Sequence, residues 1–138
     1  MNHKTKSAHN VLLGPWQKWT LYGVTLTLWA TGSMWLLASD WQSVAMRIHG
    51  AAAMGFLMAY GALLLHHVPL GWKQQRERVT GAILVAVNGI LILTGWGLYY
   101  FVDRALRDWT GKLHWILGLG LPVLIFIHVL IGRRNKTG

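Results

Sequence analysis

Leu113–Gly132 reads LHWILGLGLPVLIFIHVLIG, twenty residues without one Asp, Glu, Lys or Arg. A helix crossing a hydrocarbon core about 30 Å thick needs roughly 20 apolar residues, so this stretch is long enough to span a bilayer. A soluble helix of that length would carry a charged face, and none is present. The stretch also holds His114 and His128. Ionisable groups are costly inside a membrane, so those found there point to function by default.

Three more charge-free windows lie upstream: Trp19–Ser39, Ile48–Trp72 and Val79–Val102, of 21, 25 and 24 residues. The four windows cover 90 of the 138 residues, and all 17 charged side chains fall in the other 48 positions. The expected fold is an all-α integral membrane protein, a four-transmembrane-helix up-down bundle forming a single membrane domain over 1–138. Its helices are expected at approximately 17–39, 46–70, 79–102 and 112–133, with short loops making consecutive helices antiparallel. The first window follows Lys4, Lys6 and Lys18, as a secretory signal would. It is longer than the usual apolar region of about 7–15 residues and carries Thr25, Thr27, Thr31 and Ser33. It is therefore read as a retained helix and not as one cleaved near Ala38.

The net charge of +9 at first suggests a nucleic-acid partner, but only 12% of residues are charged, against about 25% in soluble domains. The basic residues are also divided among loops instead of forming one patch, which excludes nucleic-acid binding. Their distribution reads as topology. Nine Lys and Arg (Lys4, Lys6, Lys18, Lys73, Arg76, Arg78, Arg133, Arg134, Lys136) fall on one side and four (Arg47, Arg104, Arg107, Lys112) on the other. The positive-inside rule then places both termini in the cytoplasm of a bacterial cytoplasmic (inner) membrane. Trp16, Trp19, Trp41, Trp72, Trp109 and Trp115 lie near window ends, where indole rings favour the interface. The absence of Cys excludes disulfides, iron–sulfur clusters, thiolate zinc sites and covalently attached c-type haem.

Of seven histidines, His3 and His9 sit in the polar N-terminal stretch, while His49, His66, His67, His114 and His128 all fall in the second and fourth windows. At 100° and 1.5 Å per residue, His114 and His128 are displaced by about 40° around the helix and about 21 Å along it. His49 and His67 share a face about 27 Å apart, whereas His66 is turned about 100° away. The second and fourth helices run in the same direction. His49 therefore meets His114 near the periplasmic side and His67 meets His128 near the cytoplasmic side, with His66 the alternative to His67. Each pair can place an imidazole on either face of a flat macrocycle, so two six-coordinate haem b groups are expected.

Zinc and copper sites need three or four protein ligands, and no carboxylate or thiolate lies in any window. Haem needs only two, because the porphyrin supplies four nitrogens. Small residues near the ligands (Gly50, Ala51, Ala52, Ala53 and Gly55 beside His49; Gly118 and Gly120 beside His114) make room for a porphyrin; on their own they would be read as close helix contacts. Single buried histidines commonly make interhelical hydrogen bonds; four at matching depths favour ligation. Arg47, two residues from His49 and alone in its loop, is the candidate propionate contact. Asn88 is read as structural, and Met54 and Met58 as gap-filling.

The chain resembles the small four-helix di-haem membrane cytochromes b, the cytochrome b561-like group that includes the cytochrome b subunits anchoring formate dehydrogenases and hydrogenases. The resemblance runs from about Ile48 to Arg134. It rests on His49-Gly50, His67-Val68-Pro69-Leu70-Gly71-Trp72, Leu93-Thr94-Gly95 through Tyr99-Tyr100, and His114-Trp115 followed by His128. It implies that the histidines are axial haem ligands and that electrons pass between a quinone and a redox partner protein in a respiratory chain. Several relatives carry a ligand on the first helix, where this chain reads Lys18-Trp19-Thr20. No acid–base pair, phosphate loop or nucleophile is present. The expected role is therefore electron transfer, or service as the cytochrome b subunit of an oxidoreductase complex, with a partner subunit or a second copy. The alternative is a haem-free membrane anchor or scaffold subunit of a larger complex.

Overall fold

The computed structural model describes residues 14–37, 39–75 and 77–134. The expectations placed on His3, His9, Lys4, Lys6, Ala38, Arg76 and Lys136 fall outside them. The described chain is all helical: α1 (Pro15–Leu37), a single 3-10 turn (Ser39–Trp41), α2 (Gln42–Lys73), α3 (Arg78–Tyr100) and α4 (Arg104–Arg134). Three of these, α2, α3 and α4, are long and apolar enough to cross a membrane. The 23-residue α1 has the length but, with its several Trp, Thr, Ser and Gly residues, is not among the three.

Helix ends differ from the charge-free windows in a systematic way. α2 begins at Gln42 and α4 at Arg104, so Arg47, Arg104, Arg107 and Lys112 stand on helices and not in loops. A charge interrupts hydropathy without interrupting the backbone hydrogen bonds of a helix, so both helices continue past their apolar segments. Asp103 sets the start of α4. Its Oδ1 accepts the Leu106 N–H at 2.7 Å, and its carbonyl accepts the Arg107 N–H at 3.0 Å, which satisfies donors that the first turn leaves free.

The α2–α3 turn is tight. Gln75 (φ 55°) and Glu77 (φ 48°) are both left-handed, a conformation uncommon outside glycine. Arg78 compensates by donating from Nε and Nη2 to the Trp72 carbonyl at 3.1 and 2.8 Å. Its guanidinium also lies 5.2 Å from the Trp72 ring centroid.

α1 packs along α2, and α3 along α4, as two antiparallel hairpins. α1 also meets α4, while α2 touches α3 only lightly. α2 and α4 nowhere bring described backbones within 8 Å, Cα to Cα, and neither do α1 and α3. The hairpins thus stand around an α2–α4 diagonal. The outer surface is apolar almost throughout, with Leu65, Leu93, Ile116, Val123 and Phe126 all exposed, far beyond the apolar patch a water-soluble monomer tolerates. The few buried side chains include Phe56, Tyr60, Asn88 and Leu121. Phe56 and Tyr60 stack at 5.5 Å with 12° between planes. By helical rise these four lie midway between the upper and lower histidines.

Candidate functional site

His49 on α2 and His114 on α4 meet across the diagonal. Their ring centroids are 6.2 Å apart, and their planes are inclined at 69°. Two imidazoles sharing one metal ion at about 2.0–2.1 Å from each nitrogen would have centroids roughly 6.3 Å apart. The pair therefore has the separation that axial ligation needs. The backbones behind it are held too far apart to collapse onto each other.

Each ring is also fixed from a neighbouring helix. The Thr31 hydroxyl on α1 lies 3.0 Å from His49 Nδ1 and donates its proton to the Thr27 carbonyl at 2.7 Å. A hydroxyl has one proton to give, so Thr31 accepts from Nδ1–H. In the neutral ring this leaves the lone pair on Nε2. The same logic holds at His114. Thr94 on α3 lies 2.9 Å from Nδ1 and donates to the Ile90 carbonyl at 2.7 Å. At the other end of the hairpin, Thr80 lies 2.8 Å from His128 Nδ1 and faces the Glu77 carbonyl at 3.4 Å. A hydrogen bond that fixes the tautomer and aims the free nitrogen is the usual support of a metal-ligating histidine.

Beside each threonine is a glycine. A Cβ on Gly32 would stand 3.6 Å from His49 Cε1, one on Gly95 3.2 Å from His114 Cε1, and one on Gly81 3.8 Å from His128 Cε1. The Nδ1–Cε1 edge of each ring thus rests on a Thr-Gly step of the adjacent helix, with the Nε2–Cδ2 edge turned away from it. These steps, Thr31-Gly32, Thr80-Gly81 and Thr94-Gly95, were not singled out as histidine partners from sequence. Their signal is that Thr80 and Thr94 repeat the spacing of His114 and His128, which an antiparallel hairpin brings into register.

The glycines near the histidines on α2 and α4 have ordinary surroundings. Cβ positions on Gly50, Gly55 and Gly118 would meet Tyr99, Val24 and Leu91 at 3.5, 3.9 and 3.8 Å, while Gly120 has open space. All three distances are ordinary van der Waals contacts.

His67 is half-buried and near His128. His66 is exposed, and its Nδ1 is 3.2 Å from the Ala62 carbonyl of its own helix. Arg47 is exposed, with Nε donating to the Ser43 carbonyl at 3.3 Å. Among the described residues no three His, Cys, Asp or Glu side chains converge as a metal site. The arrangement offers imidazole pairs and nothing larger. That donor set is too small to enclose a bare zinc or copper ion, and it matches a metal whose other four ligands arrive with it. The residues present fit haem. No family model, curated protein or solved structure matches the chain.

Proposed function

We propose that the protein is a b-type cytochrome that moves electrons across a bacterial cytoplasmic membrane, with two haem groups held by His49 with His114 and by His67 with His128. The observation that carries this reading is the His49–His114 pair, 6.2 Å between centroids, each ring tied through Nδ1 to its own threonine. Interhelical hydrogen bonding alone would use Nδ1 and gives no reason for the two rings to meet across the α2–α4 diagonal.

The bound haem iron supplies a one-electron couple. The chain does the rest. Its histidines hold the group, its threonines keep the ligating nitrogens unprotonated, and Phe56, Tyr60 and Leu121 exclude water from the space between the two sites. With no redox domain in the described residues, electrons would enter and leave through a quinone and a redox partner protein, the chain acting as a subunit of a complex or as a homo-oligomer. The excess of Lys and Arg at the termini and in the α2–α3 turn supports cytoplasmic N- and C-termini.

The test is the visible spectrum of the protein purified in detergent, with haem counted per chain. The expected result is a Soret band with two haems per chain, one lost in His114→Ala and the other in His128→Ala. No Soret band after expression with ample haem rejects the reading and leaves a haem-free anchor.

A further inference from the structure

A tie at Nδ1 does more than choose a tautomer: it fixes the angle of the ring about its metal-facing axis. His49 is tied to Thr31 on α1 and His114 to Thr94 on α3. α1 and α3 make no close approach and flank the α2–α4 diagonal on opposite sides, so the two rings are drawn in different directions. The outcome is the 69° between their planes. Neither ring can swing toward the other's plane without stretching a bond of 3.0 or 2.9 Å. Gly95 closes in on His114 as well, with 3.2 Å between a would-be Cβ and Cε1.

We infer that Thr31 and Thr94 are positioning residues that hold the His49 and His114 imidazoles crossed, and thereby set the electronic state of the iron bound between them. The inference rests on the haem reading. The reasoning is orbital symmetry. Each axial imidazole acts through its π system on the iron d orbital perpendicular to its plane. Parallel rings raise one of the two such orbitals and split the pair, which gives a rhombic low-spin ferric centre. Crossed rings raise both, leave them nearly degenerate, and give a strongly anisotropic low-spin centre. Both forms share ligands and oxidation state; only the plane angle differs.

The experiment is electron paramagnetic resonance of the ferric protein at liquid-helium temperature, in a His128→Ala background so that one centre contributes. The parent should show a single broad signal at low field. Thr94→Val should replace it with a rhombic three-feature spectrum at unchanged haem content, and Thr94→Ser, which keeps the hydroxyl, should restore it. A rhombic spectrum in the parent overturns the inference, as does a low-field signal that persists in both Thr31→Val and Thr94→Val. Should Thr94→Val fail to hold haem, the parent spectrum decides alone. Absence of any Soret band instead rejects the haem reading, a distinct outcome.

Discussion

Thr94 and His114 stand 2.9 Å apart, hydroxyl to Nδ1, across the α3–α4 hairpin, and Thr80 repeats the contact with His128 at 2.8 Å. Both contacts follow from one register. The threonines are separated along α3 by the same interval as the histidines along α4, and antiparallel helices with equal intervals align them pairwise. A single hairpin therefore orients one ligand of each proposed centre.

The first prediction concerns the end of that hairpin with the thinner support. The Thr80 hydroxyl is 3.4 Å from its carbonyl acceptor, against 2.7 Å for Thr94, so the contact to Nδ1 is its principal bond. Thr80→Val keeps the shape of the side chain and removes that acceptor. Loss of such support typically weakens metal binding about 10–100-fold. Haem transfer to apomyoglobin should speed up by that factor for one of two haems, while Thr80→Ser should transfer at the parent rate.

A second prediction separates three glycines that look alike in sequence. Gly32→Ala and Gly81→Ala would place a methyl 3.6 and 3.8 Å from an imidazole carbon, an ordinary contact. Replacing glycine by alanine within a helix gains about 1 kcal/mol, so both should be neutral or stabilising. Gly95→Ala would bring the methyl to 3.2 Å of His114 Cε1, against a ring that Thr94 prevents from yielding. Overpacking costs about 1–3 kcal/mol and outweighs the propensity gain. Thermal unfolding in detergent, followed by helical circular dichroism, should show Gly95→Ala alone melting lower.

The contrast between those glycines bears on what was readable beforehand. Four charge-free windows located the four helices, because apolar length is a property of composition. They misplaced the starts of α2 and α4, because Arg47 and Lys112 bound a charge-free window without ending a helix. The depths of His114 and His128 came from helical rise alone. Their threonine partners did not, since which residue faces a ring nitrogen depends on the register between two helices. The neighbours of Gly50, Gly55 and Gly118, which are Tyr99, Val24 and Leu91, are likewise visible only when the adjoining helices are in place.

A third prediction distinguishes adjacent histidines. His66 is exposed and turned to the Ala62 carbonyl of its own helix, while His67 is half-buried and near His128. His66→Ala should leave haem content, spectrum and melting temperature as in the parent. His67→Ala should lose one haem per chain and keep the centre between His49 and His114. Loss of a haem on changing His66 alone would reverse the assignment.

The last prediction addresses the boundary between the two proposed sites. α2 and α3 touch only lightly, and one specific link between them is the Tyr60 hydroxyl donating to the Val85 carbonyl at 3.1 Å. Tyr60 has a second role, stacking on Phe56 at 5.5 Å, and two substitutions separate them. Tyr60→Phe removes the hydrogen bond and keeps the stack. Such bonds within membrane proteins average about 0.6 kcal/mol, so stability should fall by about that much with haem content unchanged. Tyr60→Ala removes both and leaves a cavity at mid-depth, for which an aromatic-to-alanine change costs about 3–5 kcal/mol. Reversible unfolding in mixed micelles measures the two differences. A loss in Tyr60→Phe as large as in Tyr60→Ala would mean that the α2–α3 link, and not the aromatic stack, holds this part of the interior together.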